Sequence, residues 1–231
     1  MIRIENLHKQ FGKVKVLDGV DFEIKGGGVI AVLGPNGSGK TTILKSILGM
    51  VIPQDGMIYY EGEAVLGNYS YRNKIGYLPQ IAQFPDNLKV FELIEMIKNI
   101  RNMPSNENVL IEKFGVEPFL DKKLSNLSGG TKQKVNLVLT FMFDSPLYIL
   151  DEPTAGLDPV SMINLKEIIA SEKAKGKTLL ITTHIMSLVE ELSDEIIFLL
   201  EGKIYFQGPI ETLKMQTGQK DLEHSIASIL K

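Results

Sequence analysis

The chain has 231 residues, of which 25 are Lys or Arg and 28 are Asp or Glu, so its formal net charge is −3. An apolar content of 44% is enough to build a core, which excludes an intrinsically disordered or fibrous chain. The mild negative charge does not neutralise phosphate, so we expect no nucleic acid partner. The absence of cysteine excludes disulfides, thiolate metal ligands and a cysteine nucleophile.

The sequence contains no candidate for a membrane span or a secretory signal. Its longest mainly apolar stretch, residues 135–143, is about half of the roughly 20 residues that cross a bilayer. The first residues carry charges at Arg3, Glu5 and Lys9 and lack the apolar segment of a signal peptide. We therefore expect the chain to stay in the cytoplasm.

The first third of the chain is predicted to be rich in strands. Alternating or continuous apolar residues predict strands over residues 2–7, 20–24 and 28–33. A glycine-dense segment then opens a helix that ends near Gly49, because its apolar residues recur at helical spacing. Further β segments are predicted over residues 56–62 and 74–80.

The middle of the chain is predicted to be helical and the last third to alternate strands and helices. Apolar periodicity predicts a helix over Val90–Arg101, a short helix around 109–114 and a longer helix after a turn at 125–130. We interpret residues 85–145 as a helical insertion. The elements predicted after it are strands 147–151, 178–183, 195–200 and 203–207, helices 160–175 and 187–192, and two amphipathic helices separated by Gly218. This alternation is typical of a parallel α/β core.

A phosphate-binding loop lies between a predicted strand and a predicted helix. Its sequence GPNGSGKT matches the Walker A pattern, with the residues Gly34, Pro35, Asn36, Gly37, Ser38, Gly39, Lys40 and Thr41. In such a loop the backbone N–H groups and the helix N-terminus face the phosphates. Lys40 adds a charge near the β and γ phosphates, and the Thr41 hydroxyl binds Mg²⁺. The alternative is a glycine turn with a chance lysine, which does not account for the strand and helix on either side.

Two adjacent carboxylates end a predicted buried strand, LYILDEP. Because consecutive strand side chains point to opposite sides, Asp151 and Glu152 cannot have the same role. We assign Asp151 to Mg²⁺ and Glu152 to the attacking water of a phosphoryl transfer. The alternative is that both are solvated carboxylates at a strand end.

The segment LSGGTKQK precedes a predicted helix and supplies Ser128, Gly129 and Gly130, whose free N–H groups are suited to phosphate. With GPNGSGKT before it, LDEP about 20 residues after it and a histidine following the next strand, the set resembles the ATP-binding cassette ATPases over essentially the whole chain. LSGG is the signature motif of that family. Thr131 stands where the family often has glutamine.

The resemblance implies a fold and a domain organisation. The fold is α/β, with a P-loop NTPase core built on a mainly parallel sheet, an N-terminal antiparallel β subdomain and an inserted α-helical subdomain. Residues 1–231 form one domain, in which 1–84 and 146–231 make the RecA-like core with the β subdomain, and 85–145 make the helical signature subdomain.

The resemblance also assigns further residues one by one. Phe11 stacks on adenine, although a core position fits it equally well, and Thr42 joins the nucleotide-binding loop. Gln80 links the helical insertion to Mg²⁺ and water and serves as a third metal ligand beside Thr41 and Asp151. Asp158 contacts a dimer partner, and the N-cap of the following helix is a second role that it can hold at the same time.

The implied mechanism needs two chains. In the family, the signature serine of one subunit completes the nucleotide site of the other, so Ser128, Gly129 and Gly130 would bind ATP on a partner. Hydrolysis would use four catalytic residues, namely Glu152, His184, Lys40 and Gln80. The expected cofactors are ATP and Mg²⁺. The expected partner is a second ABC subunit, for which the resemblance favours an identical chain and allows a different cassette.

A single cassette of this length resembles the ATP-binding subunit of an exporter-type bacterial ABC transporter, held on the inner face of the cell membrane by a separate permease. The implied docking cleft lies near Gln80, where Ile81, Phe84, Pro85 and Phe91 are apolar. One candidate system is copper-site maturation of nitrous oxide reductase. The alternatives are a soluble assembly or remodelling ATPase of the same family and, less consistent with LSGG, a P-loop kinase.

Overall fold

Residues 1–230 are described in the computed structural model. They form a six-stranded sheet, a four-stranded sheet and eight α-helices. The strands are β1 (Ile2–Phe11), β2 (Val14–Ile24), β3 (Gly28–Leu33), β4 (Asp55–Tyr60), β5 (Glu63–Ala64), β6 (Ile75–Leu78), β7 (Leu147–Asp151), β8 (Thr178–Thr182), β9 (Glu195–Leu200) and β10 (Lys203–Gly208). The helices are α1 (Lys40–Ile47), α2 (Val90–Arg101), α3 (Glu107–Phe114), α4 (Gly129–Phe141), α5 (Pro159–Ala174), α6 (Met186–Leu192), α7 (Ile210–Thr217) and α8 (Leu222–Ile229).

The six-stranded sheet has the order β10-β9-β3-β8-β7-β6, and all of its strands are parallel except β10. Every residue of β7 and β8 is buried. Continuous burial of this kind is typical of a parallel sheet covered on both faces. Because the strands are parallel, the segments that follow β3, β6, β7 and β8 all begin at one edge. The predicted α/β fold with a mainly parallel sheet is confirmed.

The four-stranded sheet is antiparallel, in the order β2-β1-β4-β5. Its first hairpin is much longer than the strands predicted over 2–7 and 20–24, because β1 continues to Phe11 and β2 begins at Val14. Of the added residues only Phe11, Val14, Val16 and Leu17 are apolar, and only Leu17 of these is fully buried, so the apolar signal that marks a strand in sequence is weak here. Gly12, with φ 57°, makes the tight turn between the two strands.

Helices α2, α3 and α4 lie between β6 and β7 in the chain and share one core with the sheet. The buried side chains of Val90 in α2, Phe114 in α3 and Val138 in α4 belong to the same cluster as Leu150 of β7 and Leu179 of β8. The signature helix α4 is therefore packed directly on the strands that carry the site. Within residues 1–230, no helix combines the length and the apolarity that a membrane crossing needs.

Gly76 in β6 lies in tight contact with both the neighbouring strand β7 and helix α4. A Cβ added there would lie 2.4 Å from Cδ1 of Tyr148 and 2.8 Å from the carbonyl oxygen of Thr140. Both neighbours are held in place, since Tyr148 and Thr140 are buried. A side chain at position 76 must therefore displace the strand or the helix.

We expect Gly76→Ala to lower the free energy of unfolding by about 1–3 kcal/mol, because overpacking of a buried site forces its neighbours apart. The measurement is the midpoint of urea unfolding, with the dependence of the unfolding free energy on urea concentration the same in both proteins. Gly129→Ala is the matched control, since a Cβ there meets no atom within 4 Å and stability should not fall. Equal midpoints for Gly76→Ala and the unaltered protein would contradict the expectation.

Candidate functional site

The phosphate-binding loop connects the end of β3 to the start of α1, and two of its glycines are required by geometry. Gly34 has φ 150°, and a Cβ there would lie 2.3 Å from the carbonyl oxygen of Leu199. Gly39 has φ 107° and precedes Lys40 as the N-cap of α1. The loop consequently runs close to β9 before α1 begins, and its two glycines adopt backbone conformations that other residues rarely take.

Lys40 reaches back over this loop. Its Nζ donates hydrogen bonds to the carbonyl oxygens of Gly34 at 2.8 Å and Pro35 at 3.0 Å. Burial lowers the pKa of Lys40, while the carboxylates of Glu152 and Asp151 favour its charged form. A desolvated ammonium group is thus held at the centre of the loop, where it is suited to an anionic ligand.

Asp151, the last residue of β7, is 2% exposed and accepts hydrogen bonds from two threonines. Thr41 Oγ1 lies 3.1 Å from Oδ2, and Thr182 Oγ1 lies 2.6 Å from Oδ1. The fold therefore brings together Thr41 and Asp151, two of the three residues predicted to hold Mg²⁺. Among the described residues, Asp151 has no salt-bridge partner. A hydroxyl and a buried, unpaired carboxylate match the oxygen ligands that Mg²⁺ prefers.

Glu152 lies beyond the end of β7 in a left-handed backbone conformation, with φ 50°. Glu152 is therefore not a strand residue, and the expected separation of its side chain from that of Asp151 by strand alternation is wrong. The direction of the Glu152 side chain comes from this backbone conformation, which is uncommon outside glycine. Its N–H group donates to the carbonyl oxygen of Thr182 at 3.1 Å and to Thr182 Oγ1 at 3.0 Å.

Glu152 and His184 form a close pair above the sheet edge. His184 Nε2 lies 2.9 Å from Glu152 Oε1, and the glutamate side chain is 13% exposed while the imidazole is 52% exposed. Burial raises the pKa of the Glu152 carboxyl, Asp151 adds to the rise, and His184 and Lys40 act against it. A carboxylate with a raised pKa is suited to accepting a proton near neutral pH.

One cleft of about 430 Å³ collects the predicted residues of the chain's own nucleotide site. This volume lies within the usual range of small-molecule sites. The predicted residues that line it are Phe11, Asn36, Gly37, Gly39, Lys40, Thr41, Thr42, Gln80, Asp151, Glu152 and His184. Phe11 is 50% exposed, so it is not a core residue. Gly34, Pro35 and Ser38 belong to the same loop but do not line the cleft.

Val14 and Val16 also line the cleft and were not identified from the sequence. They follow Phe11 across the hairpin turn, and Val14 is 65% exposed. The available signal was two apolar residues in the otherwise polar segment GKVKV. These two valines indicate a ligand contact only once the structure shows that the hairpin lies beside the phosphate-binding loop.

The signature residues Ser128, Gly129 and Gly130 do not line this cleft. Ser128 is the N-cap of α4, and its Oγ accepts from the Thr131 N–H group at 3.3 Å and lies 2.9 Å from Thr131 Oγ1. Thr131 therefore contacts the signature serine directly. The structure places these groups at the start of a helix and outside the cleft that the Walker A loop lines.

Asp158 is also absent from the cleft. It is the N-cap of α5, where it accepts from the Ser161 N–H group at 2.9 Å, and it pairs with Lys134 of α4 at 2.6 Å. These partners hold the pKa of the Asp158 carboxyl well below its usual range. The expected N-cap role is confirmed, and the dimer-contact role stays a prediction.

Helix α4 is hydrogen-bonded to the segments beside both Gln80 and Glu152. Gln133 Nε2 donates to the carbonyl oxygen of Pro153 at 3.1 Å, and Asn136 Nδ2 donates to that of Pro79 at 3.3 Å. Both amides are buried. Sequence reasoning missed them, because a polar residue in an amphipathic helix is ordinarily solvated.

Comparison with known proteins agrees with this geometry. The ABC transporter family model matches residues 17–155, more than half of the chain. The ABC transporter ATP-binding protein YhaQ of Bacillus subtilis is 35% identical over 227 residues, covering 96% of this chain and 76% of YhaQ. The lantibiotic transport ATP-binding protein SrtF of Streptococcus pyogenes is 35% identical over 226 residues, covering 96% of this chain and 94% of SrtF.

Solved structures give the same result for the fold. An ATP-binding subunit of an ABC transporter superposes with a TM-score of 0.93 and 29% identity over 100% of both chains. A nucleotide-free cassette from an ABC transporter superposes with a TM-score of 0.79 and 25% identity over 98% of each chain. The resemblance seen in the sequence is confirmed: the chain belongs to the ABC transporter family, as an ATP-binding subunit and an ATPase.

Proposed function

We propose that this ATPase energises a separate membrane permease by closing and reopening as an ATP-bound dimer. The observation that carries the proposal is the separation of the two halves of the site. The cleft that contains Lys40 and Glu152 lacks Ser128, which caps a helix elsewhere in the same chain. A second chain, placed head to tail, would supply that serine and the N–H groups behind it to the phosphates.

Within one cleft, we assign Phe11 to the adenine ring and the loop N–H groups and Lys40 to the phosphates. Thr41, Asp151 and Gln80 would hold Mg²⁺, for which the hydroxyl and buried carboxylate are suitable ligands. When bound, Mg²⁺ neutralises charge on the phosphate oxygens. The division into a core of residues 1–84 and 146–231 and a helical subdomain of residues 85–145 is part of the same proposal.

The proposed reaction is attack of water on the γ-phosphorus of ATP. A bond forms between phosphorus and the water oxygen, the bond to the β–γ bridging oxygen breaks, and ADP and phosphate leave. Glu152 orients the water and accepts its proton, His184 holds Glu152 at 2.9 Å and reaches the γ-phosphate, and Lys40 neutralises charge. Loss of the γ-phosphate would remove the ligand of the partner's Ser128 and allow the dimer to open.

Three relatives named for Nod factor export, against one named for amino-acid import, favour an exporter as the complete assembly. SrtF is a lantibiotic transport ATP-binding protein, and a 32% identical relative from Ralstonia nicotianae, of which this chain covers 70%, is a Nod factor export ATP-binding protein. We propose that the present chain likewise serves an exporter-type permease, which holds it at the inner face of the cell membrane.

A groove beside Gln80 is the proposed contact with that permease. It has a volume of about 410 Å³ and includes Met50 and Ile81, which are 54% and 73% exposed. Phe91, expected in this contact, is 40% exposed on α2, whereas Phe84 is partly buried against the core beside α2 and α4. The hydrogen bond from Asn136 to Pro79 would connect this groove to the signature helix.

We expect Glu152→Gln to bind ATP, lose turnover and accumulate as a dimer, because the amide keeps the shape of the side chain without accepting a proton. Light scattering after size exclusion measures the dimer, and phosphate release measures turnover. Adding Ser128→Ala should return the protein to monomers that still bind ATP through their own Walker A loop. Undiminished turnover in Glu152→Gln would remove Glu152 from the catalytic role.

The pH dependence of kcat/KM tests the electrostatics of the free enzyme. Since burial raises the pKa of Glu152, the acid limb should lie above the usual glutamate value of about 4.3. Activity is lost as pH falls through this limb, because the base becomes protonated. His184→Gln should move the limb to higher pH, since the imidazole opposes the rise in pKa. An acid limb at the same pH in His184→Gln and in the unaltered protein would contradict the interaction between His184 and Glu152. Nucleotide binding, measured at each pH, shows that the protein remains folded.

The partner is tested by capture from detergent-solubilised membranes of the source cell with the Glu152→Gln variant and Mg-ATP. We expect a polytopic membrane protein to co-purify. Ile81→Asp in the same background is the matched control, because a charge in the groove should abolish capture and leave the ATP-bound dimer intact. Recovery of the dimer alone, or of a soluble protein, would overturn the proposed coupling to a permease in favour of an assembly ATPase.

A further inference from the structure

We infer that Thr182 of β8 is a positioning residue that fixes Asp151 and Glu152 in one arrangement through a single hydroxyl group. The inference deepens the proposed function, since it rests on the roles given there to Asp151 and Glu152. Thr182 belongs to neither the Walker A loop nor the LYILDEP and LSGG segments. It is fully buried at the end of its strand.

The Thr182 hydroxyl bridges the two carboxylate residues. Oγ1 lies 2.6 Å from Asp151 Oδ1 and 3.0 Å from the Glu152 nitrogen. The Glu152 N–H group can only donate, so the hydroxyl accepts from it and gives its own proton to the Asp151 carboxylate. The direction of both hydrogen bonds is thereby determined. A charged acceptor makes the bond to Asp151 the stronger of the two.

This bridge gives the two oxygens of Asp151 different main partners. Oδ1 is bonded to Thr182 inside the sheet at 2.6 Å, whereas Thr41 Oγ1 lies nearer to Oδ2, at 3.1 Å, than to Oδ1, at 3.4 Å. Thr41 and Asp151 are the proposed metal ligands, so the oxygen on the ligand side is oriented by the bond made on the other side. Groups that hold a ligating carboxylate in this way influence metal affinity without touching the metal.

The same hydroxyl supports the backbone of Glu152. Its φ of 50° is an uncommon conformation for a residue with a side chain, and such conformations persist where surrounding bonds enforce them. Here the N–H group is held by both the carbonyl oxygen and the hydroxyl of Thr182. His184, which contacts Glu152, lies only two residues after Thr182. One short segment thus controls the direction of the proposed base.

Burial alone does not explain a threonine at this position. A valine has the same branched shape and suits a fully buried strand without placing a hydroxyl there. The register pairs Thr182 directly with Asp151 of β7 and with Val32 of β3, the two strands that carry the site. The hydroxyl therefore lies between the metal-ligand strand and the strand that leads into the phosphate-binding loop.

The test compares Thr182→Val with Thr182→Ser. We expect the valine variant to need about 10–100-fold more Mg²⁺ for half-maximal binding of a fluorescent ATP analogue, the usual effect of removing a group that orients a ligand. Binding of the analogue without Mg²⁺, in the presence of EDTA, should stay unchanged in this variant. The factor by which kcat falls should be larger than the factor by which KM changes. The serine variant keeps the hydroxyl and should restore the Mg²⁺ requirement and kcat.

Thr178→Val is the matched control. Thr178 is equally buried in the same strand, but its hydroxyl accepts from the Gly27 N–H group at the opposite end. The Thr178→Val variant should be less stable than the unaltered protein but should need the same Mg²⁺ concentration for half-maximal binding. If Thr182→Val does not fold, Thr182→Ala, which introduces no added volume, is measured in the same titration.

The outcomes separate this inference from the proposed function. If Asp151→Asn raises the Mg²⁺ requirement and Thr182→Val does not, the inference about Thr182 is overturned and the metal role of Asp151 stands. If Asp151→Asn has no effect, the proposed role of Asp151 fails and the inference fails with it. Equal weakening of binding with Mg²⁺ and in EDTA would show a structural role only and would also overturn the inference.

Discussion

The parallel register of β3, β8, β7 and β6 is the constraint on which the site depends. Val32 and Asp151 both pair with Thr182, and Leu78 pairs with Leu150, so these strands end at nearly the same level. Each chain segment leaving that edge carries residues of the site, namely the Walker A loop after β3, Gln80 after β6, Glu152 after β7 and His184 after β8. A slip of one residue would turn every side chain of a strand to the other face, so burial of the sheet on both faces also fixes the chemistry.

The parts of the site that sequence could predict are those in which local pattern and chemistry coincide. The Walker A loop needs glycine at Gly34 because the carbonyl oxygen of Leu199 approaches it, and the motif records that need within eight residues. Buried strands such as β7 are equally visible, as continuous apolar runs. The long hairpin was missed because Phe11 and Val14 lie at its exposed end, where a strand has no core to mark it.

Contacts between distant segments account for what sequence could not supply. The left-handed conformation of Glu152 depends on the carbonyl oxygen and hydroxyl of Thr182, 30 residues later in the chain. The buried amides of Gln133 and Asn136 bond to carbonyls 20 and 57 residues away. A buried polar side chain is costly unless it is bonded, yet nothing in the local pattern of α4 indicates where those partners lie. These long-range bonds join the signature helix to the segments beside Glu152 and Gln80.

The charge balance of the cleft explains why these long-range bonds matter for its chemistry. Burial raises the pKa of the Glu152 carboxyl, and repulsion from the adjacent Asp151 carboxylate adds to the rise. Lys40 offsets part of that repulsion, although its own pKa is lowered by burial. Two carboxylates facing one desolvated ammonium favour the arrival of a further cation together with the anionic phosphates. Thr182, a neutral donor, holds the Asp151 carboxylate without cancelling the charge that attracts that cation.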